Sequence, residues 1–186
     1  MRTRLTDAAI EALIEEGYAR TTAVEVCRRA GVSRGAFHHH FASLSELFAE
    51  ALERLYERML AVRAPHEGDD GEAPTALEVL VRRISAYTRR AEFKAIIEIW
   101  LAARNDAELR VEVAPAIQRL SSLFSPEHLP KLARHLGKSP RAAAFYRLVL
   151  EATIGMALGR AVSPSNRPLA HEKAVIELLA SIAKTL

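Results

Sequence analysis

Apolar residues recur at three- and four-residue steps along most of the chain, the spacing that lines one face of an α-helix. Leu5, Ala9, Ile10, Leu13 and Ile14 form the first such stripe, and Gly17 stands where a helix C-terminus favours glycine. Thr22-Ala-Val-Glu25 has the form of a capping box, in which the Thr hydroxyl and the Glu carboxylate take up N–H groups that a helix start leaves unpaired. It predicts a short helix to about Ala30. Gly31-Val32 turns the chain, and Ser33 is the N-cap of a second short helix to Phe41. Ser43-Leu-Ser-Glu46 repeats the capping-box pattern and opens a long helix with Leu44, Leu47, Phe48, Ala51, Leu52, Leu55 and Met59 in step.

The helical period continues downstream. Leu77, Leu80, Val81, Ile84, Tyr87 and Thr88 make one face, and Phe93, Ile96, Ile97 and Trp100 another. A segment from about Asp106 to Phe124 contains Pro115, which predicts a kink or break. A short helix is expected near Pro126 to Leu136. Ser139-Pro140 opens a long one to about Ala161, with proline at the first helical position. The last, from about Leu169 to Leu186, carries His171, Ala174, Val175, Leu178, Leu179 and Ile182 on one stripe. No run alternates as strands do, and no repeat occurs, so the fold class is all-α.

All eight prolines lie after residue 64, and the acidic, Gly- and Pro-bearing stretch 64–74 is the clearest loop. The expected organisation is an N-terminal domain over 1–48 and a helical domain over 49–186. Composition narrows the function classes. The chain has 186 residues, a net charge of +3 and one cysteine, Cys27, so an intrachain disulfide scaffold is excluded. Neither a signal-peptide pattern nor a membrane-length apolar run is present, and the expected location is the cytoplasm.

Two short helices joined by a glycine turn follow the helix-turn-helix plan, here over 22–41. In that plan the second helix sets its first residues against base edges in the major groove. Arg34 can then read a guanine bidentately or hold a phosphate, while Gly35 and Ala36 let the helix approach closely. Charge agrees only locally. Residues 1–60 hold eight Arg and nine acids, but 20–43 hold four Arg (Arg20, Arg28, Arg29 and Arg34) against Glu25. Arg2 and Arg4 suggest a basic arm that reaches a groove or phosphates.

The stretch Gly17 to Phe41, with Ser43 and Glu46-Leu47, resembles the DNA-binding domain of the TetR/AcrR repressor family in its glycine, capping threonine, Ala-Gly-Val-Ser turn and His-Phe ending. The resemblance covers about the first 50 residues. It implies a homodimeric, all-helical regulator of transcription that binds double-stranded DNA at a palindromic operator. The family's divergent C-terminal domain binds a small-molecule effector. By that pattern Thr22 and His40 touch phosphates, Arg34, Ala36, His38 and His39 face the groove, and Val26, Phe37 and Phe41 are core. Two positions depart from it: His38 stands where the family commonly has Tyr, and Leu44 where it commonly has Lys, which implies one backbone contact fewer.

Other features have plainer readings. Adjacent helical residues point about 100° apart, so His38, His39 and His40 do not jointly hold one metal ion. Cys27, on the apolar side of a short helix, is expected to be buried and structural. No catalytic or phosphate-binding motif occurs, so neither enzyme activity nor a cofactor or metal is expected. Tyr87, Phe93, Ile97, Trp100, Phe124, Phe145 and Met156 are candidate pocket residues as well as ordinary core, with any ligand entering near Trp100. Glu98 is either a polar anchor in a cavity or a surface carboxylate. Ala152, Gly155 and Gly159 give a flat face for close helix contact, and with Val175, Leu178, Leu179 and Ile182 they form the expected dimer surface. The competing function is a helical lipid- or small-ligand-binding protein of the same architecture that has lost DNA binding. The basic motif with Arg34 at the start of its second helix favours the DNA-binding reading.

Overall fold

The structure, a computed structural model, describes residues 1–63, 81–82, 84–123, 140–162 and 170–183. Every regular element among them is helical. Helix α1 covers Arg2–Glu16, a 3₁₀ turn Tyr18–Arg20, α2 Ala23–Ala30, α3 Arg34–His40 and α4 Leu44–Arg63. Helices α5 (Ala91–Asn105), α6 (Ala107–Leu123), α7 (Pro140–Ala161) and α8 (Glu172–Ala183) follow. No described helix is long and apolar enough to cross a membrane. The expected helix near 126–136, the loop at 64–74, Leu77, Leu80 and Phe124 lie outside the described residues.

Local chemistry sets the helix ends. Ser33 Oγ accepts from the Ala36 N–H at 3.1 Å, as an N-cap should. At Ser43 the box closes with a shift of one residue: Ser43 Oγ takes the Glu46 N–H, while Glu46 reaches back to the Ala42 N–H at 2.7 Å. The box at Thr22 forms only by half. Thr22 Oγ1 accepts from the Glu25 N–H at 3.2 Å, but the Thr22 N–H donates to the Arg20 carbonyl, and the Glu25 carboxylate is drawn to Arg28 and Arg29. A pair of charged donors outcompetes one backbone amide. Gly31 ends α2 at φ +61°, a conformation glycine adopts without strain. Pro115 stands inside α6 without ending it; its ring is on the exposed side, where the missing donor is least costly.

The chain packs as two compact units, one of residues 1–58 with 91–120 and the other of 59–90 with 121–186. Packing thus divides the chain differently from the motif-based boundary at residue 48. In the first unit Leu5, Ala8 and Ala9 of α1 bury against Val26, Cys27 and Ala30 of α2, Phe37 and Phe41 around α3, and Leu47 of α4. In the second, Val81 and Ile84 pack with Phe145, Tyr146, Val149 and Met156 of α7 and Ile176 and Leu179 of α8. Arg160 is buried there and pairs with buried Glu172 at 2.8 Å, while its other nitrogen donates to the Thr88 carbonyl at 2.7 Å.

Candidate nucleic-acid interface

The helix-turn-helix owes its rigidity to an inward apolar side and to polar ties on its flanks. Phe37 and Phe41 point inward with ring centroids 5.9 Å apart. Cys27 is buried behind the turn, its Sγ 3.9 Å from the Ser33 carbonyl, and burial pushes its thiol above the ordinary value. Outward stand Thr22, Arg34, Gly35, His38 and His39, all exposed, with Ala36 and His40 half-buried. Gly35 has no internal reason to be glycine: an added Cβ would meet only Ser33 Oγ, at an ordinary 3.8 Å.

The electrostatics are sparser than residue counts suggest. Glu25 bonds both Arg28 and Arg29, and these bonds, Arg28's first, hold its carboxyl down at about 2. Glu15 and Glu16 of α1 close on the same Arg29. Two of the four motif arginines are therefore neutralised by acids, two of which lie outside the window 20–43. Arg20 donates to the Glu16 carbonyl at 3.3 Å. Arg34 has no carboxylate partner among the described residues. The arm expected at the N-terminus is corrected, because Arg2 and Arg4 lie in the first turn of α1 and turn back on the protein. Arg2 donates to the His40 carbonyl at 2.7 Å and Arg4 to the Ala30 carbonyl at 2.5 Å. Both find carbonyls that helix ends leave open.

The base of the motif is held by contacts that the sequence did not signal. The Glu98 carboxylate accepts from the Tyr18 N–H at 2.8 Å, so it is neither a cavity anchor nor a plain surface charge. The Tyr18 hydroxyl donates to Asp106 at 2.8 Å; burial, then this bond, pushes the hydroxyl up to about 12. Asp106 also caps α6 through the Leu109 N–H, which with Tyr18 holds its carboxyl below the ordinary value. The local signal, Asp106 three residues before Leu109, is a cap pattern. Its tie to Tyr18, 88 residues away, leaves no local trace.

The expected pocket residues divide between the units. Phe93, Ile97 and Trp100 belong to the first, where Phe93 and Trp100 meet edge to face at 6.3 Å and Trp100 donates to the Tyr56 hydroxyl at 2.7 Å. Tyr87, Phe145 and Met156 are buried in the second. Of the expected dimer residues, Leu179 is buried in the protomer and Val175 packs against the core beside it. Leu178 is 61% exposed, Ile182 is exposed, Gly155 is exposed, and Ala152 and Gly159 are half-buried. Among the described residues no three His, Cys, Asp or Glu side chains gather as a metal site would need.

Known proteins share both the motif and the fold. Residues 5–51 match the model of the bacterial regulatory proteins of the tetR family. An HTH-type transcriptional regulator of Mycobacterium tuberculosis is 37% identical over 111 residues, 58% of this chain and 55% of that protein. The match thus spans about half of that relative's length. The HTH-type transcriptional regulator BetI of Escherichia coli is 28% identical over 177 residues, covering 91% of this chain and 88% of BetI. A transcriptional regulator of Rhodococcus sp. RHA1, known from its crystal structure, superposes with a TM-score of 0.76 at 25% identity over 99% of this chain and 96% of that one. A motif built as its residues require thus matches the tetR family of bacterial regulatory proteins over residues 5–51, on a fold shared with a solved transcriptional regulator along nearly the whole chain.

Proposed function

We propose that the chain represses transcription as a homodimer that binds a palindromic operator and releases it when a small-molecule effector binds. Residues 1–48 carry the DNA-binding function and 49–186 the effector and dimer functions. The observation that carries this reading is the outward face of α3. It offers an arginine with no carboxylate partner among the described residues, then a glycine and an alanine, over a buried Phe37. Arg34 reads a base, Gly35 and Ala36 allow close approach, and Thr22, His38, His39 and His40 meet phosphates and the groove edge.

One recognition helix reads only a few base pairs, so useful specificity needs two, set about one helical turn or a multiple apart. The α7 face formed by Leu148, Ala152, Gly155, Leu158 and Gly159, with Val162 just past its end, and the α8 face with Leu178 and Ile182, support the second copy. Large apolar side chains on both are exposed in the protomer. An effector held around Phe93, Ile97 and Trp100 acts by binding more tightly to a state whose recognition helices no longer match adjacent grooves.

The test is a binding-site selection from random duplexes with the purified protein, followed by gel-shift titration. A recovered inverted repeat, with preference at one position per half-site relaxed by Arg34→Ala, is expected. Recovery of no sequence at low salt sinks the reading in favour of a ligand-binding protein without DNA affinity.

A further inference from the structure

We propose that Arg2 and Arg4 are the positioning residues of the recognition motif, a two-pronged clamp from α1 that fixes the angle between α2 and α3, and not contacts to DNA. The proposal rests on the DNA-binding reading. A helix ends with carbonyls that its own backbone does not satisfy. The last residue of α2 is Ala30, and its carbonyl accepts from Arg4. The last residue of α3 is His40, and its carbonyl accepts from Arg2. Two arginines one turn-half apart on one helix thus hold the ends of both helices of the motif.

Each prong is built in. Gly31, beside the Ala30 carbonyl, leaves room for the Arg4 guanidinium; a Cβ there would lie 3.3 Å from Arg4 Nη2. The Arg2 guanidinium lies over the Phe41 ring, 4.2 Å from its centroid, and pairs with Glu46 and with Glu50 of α4. Glu46 in turn takes the Ala42 N–H, and Glu50 takes the Thr6 hydroxyl at 2.7 Å. Arg2 therefore joins α1, the end of α3 and the first turns of α4. A planar fork with several donors is needed for that, and a lysine ammonium does not supply it. Arg4 has one acceptor, which a lysine can still serve.

The difference between arginine and lysine separates the clamp from a phosphate contact, because an ammonium binds phosphate as a point charge. Arg2→Ala, Arg2→Lys, Arg4→Ala and Arg4→Lys are titrated against the selected operator and random duplex over a salt series, with each preparation's active fraction determined. For Arg2→Ala, Arg2→Lys and Arg4→Ala the ratio of specific to non-specific affinity is expected to fall about tenfold or more, the scale of one lost base contact. The salt slope stays at the wild-type value, and Arg4→Lys stays near wild type. A slope shallower by about 0.9 per alanine variant, restored by both lysines, makes the residues phosphate contacts and overturns the clamp. A lower active fraction with ratio and slope unchanged reduces them to stability and overturns it too. Amide exchange without DNA decides the clamp even if the wild type binds no duplex and the functional reading fails. Exchange over residues 31–41 about tenfold faster in Arg2→Lys than in wild type, with α5 unchanged, is expected; equal exchange overturns the clamp.

Discussion

Helices α2 and α3 bury Val26, Cys27, Ala30 and Phe37 and turn arginine, histidine, glycine and threonine outward, with Val24 the one large apolar side chain exposed between them. Helices α7 and α8 do the reverse on one face each, leaving Leu148 50%, Leu158 37% and Leu178 61% exposed. Leu148, Ala152, Gly155, Leu158 and Gly159 fall within one side of α7, with Val162 one residue past its end, because steps of three, four and seven residues return to nearly the same direction. The first pair is finished as a protomer and meets water or a polyanion. The second presents the kind of contiguous apolar face that marks an interaction surface. A solvent-facing glycine sits in each pair. Gly35 and Gly155 both have room for a Cβ, and at Gly155 it would meet no other side chain or element within 4 Å among the described residues. A glycine inside a helix costs about 0.5–1 kcal/mol relative to alanine, so its use at two such places points to something that approaches from outside.

The sharpest way to break the contrast is Gly155→Leu. A Cβ at Gly155 meets no other atom within 4 Å among the described residues, so the fold is expected to persist while the paired faces of the proposed dimer are forced apart. Sedimentation should show monomers, and operator affinity should fall roughly 10²–10⁴-fold, the loss of linked half-site binding. A wild-type monomer at micromolar concentration would remove the dimer from the scheme.

The two regions also treat charge differently. In the second unit Arg160 and Glu172 are both buried, so Glu172→Ala strands a buried guanidinium. Denaturant unfolding should report a loss of about 3–5 kcal/mol in that unit. The Arg28–Glu25 pair is exposed on its arginine side, and Arg28→Ala should leave the same unfolding curve close to wild type. Arg34→Ala should leave both unfolding and assembly unchanged and weaken specific binding by about 1–3 kcal/mol.

The smallest effect is an acid one. Glu25 falls from an ordinary 4.5 to about 2 in the folded chain, so its contribution to stability is full above about pH 4.5. It is lost as the pH drops towards 2, because protonation then breaks its bonds to Arg28 and Arg29. Circular dichroism of Glu25→Gln should show a flatter melting-temperature profile between pH 5 and 2 than wild type; identical profiles would mean that the carboxylate is not held by its arginines.

Much of the architecture was legible because the signals are local. The caps at Thr22, Ser33 and Ser43 and the turn at Gly31 each span three or four residues, and the structure forms them. The apolar stripe of the last helix was legible as a stripe but not as a division. Leu179 packs inward with Ile176, while Leu178 and Ile182 of the same stripe are exposed. Which edge of a wide stripe faces the core is set by neighbouring helices.

The sequence by itself determined the caps at Thr22, Ser33 and Ser43, the helix-turn-helix and the place of Arg34 at the start of its second helix. These follow from backbone hydrogen bonding and side-chain period, which act over one or two turns. Tertiary structure alone decided which charges stay available. Glu15 and Glu16 come from α1 to Arg29, Glu98 from α5 to the Tyr18 N–H, and Arg2 and Arg4 go to the carbonyls at His40 and Ala30 rather than to solvent. Such pairs join residues up to 80 apart, and no local pattern encodes them, because a long charged side chain takes the partner that packing brings within reach.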